Sequence, residues 1–133
     1  MKFISPAERR ARQPAFVPTM ADDAARFVWM EREYHRITDP RPFINQCAVA
    51  RSVGVLAFGV PLDALLSTSK EHAITDARQK IMAFSRIVIS PRCSWEQIGR
   101  SFNRHYSTVF HAVDKFGETV EHALEPSTDE AIA

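Results

Sequence analysis

Glycine is scarce in this 133-residue chain, four in all, and no run of the form G-x-x-x-x-G-K-[ST] includes any of them. Such a loop is what cradles nucleotide phosphates, so chemistry driven by ATP or GTP finds no site in these residues. Only two cysteines occur, Cys47 and Cys93, far apart in the sequence and outside any C-x-x-C pair. Neither a disulfide framework nor a zinc site is expected from them, and a reducing cytoplasm is the expected compartment. No run of 18 apolar residues occurs, and the opening MKFISPAERRARQP lacks the apolar centre of a leader peptide. Neither export nor membrane insertion is therefore expected. Strand-length alternation, internal repeats and low-complexity blocks are missing as well.

What is present is helical periodicity, with 45% hydrophobic residues to build one modest core. Residues 1–20 hold three prolines and four basic side chains with little period, and read as a flexible basic arm. From Asp22 to Ile37, acids at the start and Phe27, Met30, Tyr34 and Ile37 at helical spacing predict an amino-terminal helix, and residues 21–42 form that helix and its Pro40/Pro42 connector. Its stripe packs on its own domain or, as a sharper option, serves a homodimer or another regulatory protein. A compact helical unit is expected over 43–124. It opens with a helix carrying Ile44, Cys47, Ala48, Val55 and Phe58 and stopped by Gly59 and Pro61. A short turn follows, anchored by Leu62, Leu65 and Leu66. Thr75 or Asp76 then caps a helix to Ile89, with Ala77, Ile81, Phe84 and Val88 inward and Arg78, Lys80 and Arg86 outward. Residues 125–133 read as an acidic disordered tail.

The formal charge of +1 hides a segregation of signs. Residues 78–105 carry six basic side chains against Glu96 alone, a net of +5, while 113–133 carry six acids against Lys115, a net of −5. A solvated charged face would look like this, and so would a surface for a polyanion.

The basic stretch leads into Ser94–Phe116, SWEQIGRSFNRHYSTVFHAVDKF. Ser94 with Gln97 three residues later is a capping box, so a helix starts there, with Trp95, Ile98 and Phe102 on one face. Asn103 offers a second N-cap, and a new helix is expected from about Arg104, with Val109, Val113, Phe116 and Val120 packed and Ser107, Thr108, His111 and Lys115 free. This spacing predicts a helix-turn-helix.

ITDARQKIMAFSR, SWEQIGRSF and RHYSTVFHA, in that order, resemble the carboxy-terminal DNA-binding domain of the bacterial replication initiator DnaA. The similarity covers roughly residues 43–118, and VGVLAFGVPLDALLSTSK looks like that family's preceding helices. The resemblance implies an all-α, Trp-repressor-like domain that puts its second motif helix in the major groove of double-stranded DNA. By position it implies Arg104, His105, Tyr106, Ser107, Thr108 and His111 as groove contacts, Arg78 as a minor-groove arginine, and Arg86 and Lys115 as further basic contacts. Arg92 and Ser94, with Arg100, suit phosphate contacts by residue type. The family's Asp-His pair is replaced by His105-Tyr106, and a glycine pair in its turn by Asn103, so a different target sequence is expected.

The resulting expectation is a sequence-specific DNA binder that regulates transcription or replication by occupying its site, with no cofactor and no catalytic residue. A protein-binding adaptor or replication inhibitor working through residues 22–37 is the alternative. A metal or enzyme site from His72, His105, His111, His122, Asp76 and Asp114 has weak spacing, since a bound metal needs three or four convergent ligands.

Overall fold

The computed structural model describes residues 4–14, 16–89 and 93–126, and within them the fold is all-α, with seven helices and no strand. They are α1 (Pro6–Ala11), α2 (Asp23–Thr38), α3 (Gln46–Phe58), α4 (Leu62–Leu66), α5 (His72–Ile89), α6 (Trp95–Ser101) and α7 (Tyr106–Leu124). Local chemistry fixes most of their ends. Asp22 accepts from the Ala25 N–H at 2.9 Å and Asn45 from the Ala48 N–H at 3.1 Å, each closing a first turn. Gly59, at φ 65°, ends α3 in the left-handed conformation that a side chain resists.

Helix α5 is the central post, packed against α3, α6 and α7, while α2 lies across α3 and α7. The stripe read from the sequence on α2, Phe27, Met30, Tyr34 and Ile37, is buried in this core. Phe27 stacks on Phe84 of α5 with ring centroids 6.4 Å apart. Helices α3 and α5 approach so closely that a Cβ on Gly54 would lie 2.5 Å from Ile81 Cγ2. Lys80 joins α2 to α5, reaching Asp23 at 2.6 Å and Asp76 at 2.5 Å. Burial alone would lower its pKa, but the two carboxylates outweigh it and raise the pKa above the ordinary lysine value.

Cys47 and Cys93, distant in the sequence, meet in the core as free thiols. Burial first, then the hydrogen bond with Cys93, pushes the Cys47 thiol up to about 12. It is a small core hydrophobe, protonated at any physiological pH.

Several expectations need correcting. Within the segment read as a flexible arm, Pro6–Ala11 form a helix capped by Ser5, whose hydroxyl accepts from the Glu8 N–H at 3.1 Å. It is anchored by partners far along the chain: Arg41 donates to Glu8 at 2.6 Å, and Arg36 donates to the carbonyls of Ala11 and Gln13. Helix α5 starts at His72, three residues before Thr75, the Thr75 N–H bonding back to the Glu71 carbonyl. Of the three leucines expected to anchor α4, Leu65 is fully buried, Leu66 is half-buried and Leu62 is exposed. Arg78, expected outward, is buried, because its guanidinium turns back onto the carbonyls of α4 and the loop after it. Lys80, also expected outward, is the α2–α5 bridge just described. No helix among the described residues is long and apolar enough to cross a membrane. The acidic tail from residue 127 onward lies outside the described residues.

Candidate nucleic-acid interface

The capping box predicted at the start of α6 is present in both halves. The Ser94 hydroxyl accepts from the Gln97 N–H at 3.1 Å, and the Gln97 amide oxygen accepts from the Ser94 N–H at 2.8 Å. Ile98 and Phe102 anchor the helix in the core, and Trp95 packs against its edge.

The turn between α6 and α7 is built differently from the sequence expectation. Asn103 does not cap α7; it closes α6 from the left-handed region, at φ 57°. Its N–H donates to the Arg100 carbonyl at 3.0 Å, and the Arg104 N–H reaches back to the Gly99 carbonyl at 2.8 Å. These two bonds make a Schellman ending, a position where asparagine substitutes for glycine because its short polar side chain tolerates the left-handed backbone. The N-cap of α7 is His105, two residues later. Its Nδ1 accepts from the Ser107 N–H at 3.2 Å, closing the first turn of α7.

Helix α7 has the packed face that the periodicity predicts, but of the four side chains expected to be free only His111 and Lys115 are exposed. Val109, Ala112 and Val120 are buried, and Val113 and Phe116 pack partly against the core. Ser107 and Thr108 are half-buried, and His105, Tyr106, Phe110, His111 and Lys115 are exposed. Thus His105, Tyr106, Ser107, Thr108 and His111 come together on the first two turns of α7, and Lys115 follows one turn beyond His111. The ring of Tyr106 is 4.4 Å from that of His105, and Tyr106 does not fold under the turn.

The basic residues fall into separate groups. Arg86 lies over the Trp95 ring at 4.1 Å and donates to the Cys93 carbonyl at 3.1 Å, which places its charge beside the start of α6 and Ser94. Arg100 is exposed on α6. Arg104 is half-buried, donating to the Asn103 carbonyl at 3.1 Å and also to the Ser67 carbonyl. Arg78 shares that Ser67 oxygen at 3.2 Å. Burial first, and then the nearby Arg104 charge, lowers the Arg78 pKa from its ordinary value. The structure therefore brings the two arginines together at the end of α4, on the Ser67 carbonyl, with Arg78 committed to backbone carbonyls. Arg92 lies outside the described residues.

Phe110 was not among the candidate contacts, although it is one of the largest exposed apolar side chains, at 57%. The signal was available: Phe110 is four residues after Tyr106 and off the Val109–Val113–Phe116 stripe.

The bacterial DnaA protein helix-turn-helix family matches residues 48–116, which span α3 through the middle of α7 and so include the α6–turn–α7 unit and its support. No curated protein and no solved structure matches the chain. With a capped α6, a Schellman turn and a second helix whose first turns keep one face in solvent, the chain belongs to the bacterial DnaA helix-turn-helix family, whose domains bind double-stranded DNA.

Proposed function

We propose that this protein is a sequence-specific regulator of transcription or replication that works by occupying a site on double-stranded DNA. The carrying observation is the exposed start of α7, where His105, Tyr106 and His111 present donors, acceptors and ring edges on a helix held by α6. A helix-turn-helix directs that part of its second helix to base edges in the major groove. Arg86, Arg100 and Lys115 flank it with positive charge suited to phosphates. Without a nucleotide-binding loop in these residues, the chain can recruit, block or compete at a site but has no ATP-driven step of its own. Such a role belongs in the cytoplasm, at the nucleoid.

The adaptor reading through residues 22–37 has a narrower basis. Phe27, Met30, Tyr34 and Ile37 are spent in the core, so a partner or a second copy would meet the outer face of α2, where Val28, Arg32 and His35 are exposed.

Selection from a random duplex library at moderate salt tests the DNA reading. The expected result is one enriched motif, bound with a log-affinity that falls linearly with log salt. Salt-insensitive or undetectable binding to every duplex would overturn it.

A further inference from the structure

We propose that Phe110 reads sequence, by seating its ring against the C5-methyl group of a thymine in the major groove. The inference rests on the DNA-binding reading above and goes beyond it by naming a residue and the base feature it takes.

Three observations carry it. Phe110 is 57% exposed on α7 while its neighbour Val109 is fully buried, so the ring stands on the face turned away from the core. Tyr106, 47% exposed, lies one turn earlier on the same face, and together they put two aromatic rings on the part of α7 that a helix-turn-helix lays in the groove. The Phe110 ring is also held in place. Its centroid is 5.6 Å from that of Trp95 at the start of α6, and the Arg86 guanidinium of α5 lies over Trp95 at 4.1 Å. A guanidinium, an indole and a phenyl ring thus form a ladder across three helices. A side chain ordered before binding loses less freedom when the complex forms.

The chemistry of the groove then selects the ligand feature. Base edges there offer hydrogen-bond donors and acceptors, and the thymine methyl is their one apolar projection. Phenylalanine has nothing to donate or accept, so over a polar edge it would strip water without replacing it. Over a methyl group both surfaces leave water together. His111, its ring 6.3 Å from that of Phe110, supplies a polar group alongside.

The test uses the full chain and the duplex recovered by selection. Each thymine is replaced in turn by deoxyuridine, which deletes only the methyl group, and binding is measured for the unsubstituted protein, Phe110→Ala and Phe110→Leu. Deoxyuridine at one or two positions is expected to weaken the unsubstituted protein about fourfold per position, the worth of one buried methyl. The same replacements are expected to leave Phe110→Ala unaffected and Phe110→Leu affected in part, with equal salt dependence for all three proteins. Salt-dependent binding in which no methyl matters, or in which Phe110→Ala keeps the full methyl effect, overturns this inference alone. Absence of salt-dependent binding to any duplex overturns the DNA-binding reading and this inference with it.

Discussion

Arg78 donates through Nε to the carbonyl oxygen of Leu65 at 2.7 Å, although the two residues lie 13 positions apart. Its other nitrogens reach the carbonyls of Ala64 at 3.3 Å, Ser67 at 3.2 Å and Ser69 at 3.4 Å. The last carbonyls of any helix lack partners within that helix, and α4 is barely more than one turn long. The planar guanidinium fork serves as its C-terminal cap. Arg78→Ala is therefore expected to destabilise the fold by about 2 to 4 kcal/mol, because buried carbonyls lose charged donors. Arg78→Lys should recover only part of this, since one ammonium cannot span the same set of oxygens. Urea unfolding checks it, through a fall in midpoint at unchanged slope. A stable Arg78→Ala protein that had lost only DNA affinity would contradict this role.

The angle between α6 and α7 depends on two backbone positions. A Cβ on Gly99 would lie 2.7 Å from the Arg104 carbonyl oxygen and 3.2 Å from the Tyr106 nitrogen, and backbone atoms have no rotamer by which to retreat. Gly99→Ala is expected to cost about 1 to 3 kcal/mol as an overpacked contact and to move the start of α7 relative to α6. At Asn103 the constraint is conformational, since φ is 57°. Asn103→Gly should be neutral or slightly stabilising, while Asn103→Val should cost about 1 to 2 kcal/mol. Thermal unfolding of the three variants gives the order, with Asn103→Gly on top. A Gly99→Ala protein as stable as the parent would mean that the turn is looser than its hydrogen bonds indicate.

What the sequence reveals about this fold is what short-range chemistry controls. Ser94 and Gln97 are three residues apart and bond to each other's backbone, so their spacing alone locates α6. The stripes of α2 and α7 are equally legible, because a helix with one wet face must repeat its apolar residues at 3.6 positions. Arg78 is placed by longer-range contacts. On a helical wheel it falls at the edge of the apolar stripe, beside Ile81, and only the return of α4 and its loop, a tertiary contact, covers it. Asn103 was ambiguous for another reason: asparagine serves both as an N-cap and as a left-handed helix stop. Helix α1 has no apolar stripe to detect, and its anchors are Arg36 and Arg41, more than 20 residues away. At the interface, the cluster from His105 to His111 follows from the motif and the exposure of Phe110 from its register, whereas the support of its ring by Trp95 is a tertiary contact.

The anchor of α1 gives a pH prediction with a definite sign. Glu8 accepts from Arg41 at 2.6 Å and from Arg12 at 3.3 Å, and these hydrogen bonds, Arg41 first, hold its carboxyl below the ordinary value near 4.5. A carboxyl depressed in the folded state favours folding fully above its ordinary value and stops doing so as pH falls through the lowered one. Docking of Pro6–Ala11 should thus be complete at neutral pH and loosen in acid, with a midpoint below 4.5. Because the carboxylate is in solvent, added salt should loosen it as well. Arg41→Ala removes the larger cause and should bring the midpoint up toward the ordinary glutamate value. The amide resonances of Arg9 and Arg12, which bond to the Ser5 and Glu8 carbonyls at 2.9 and 3.1 Å, report on the α1 turn directly. Followed by NMR through the acid range, they should shift together while those of α3, which carries no carboxylate, stay in place. Resonances that respond to pH identically with and without Arg41 would show that α1 is held by something other than this pair.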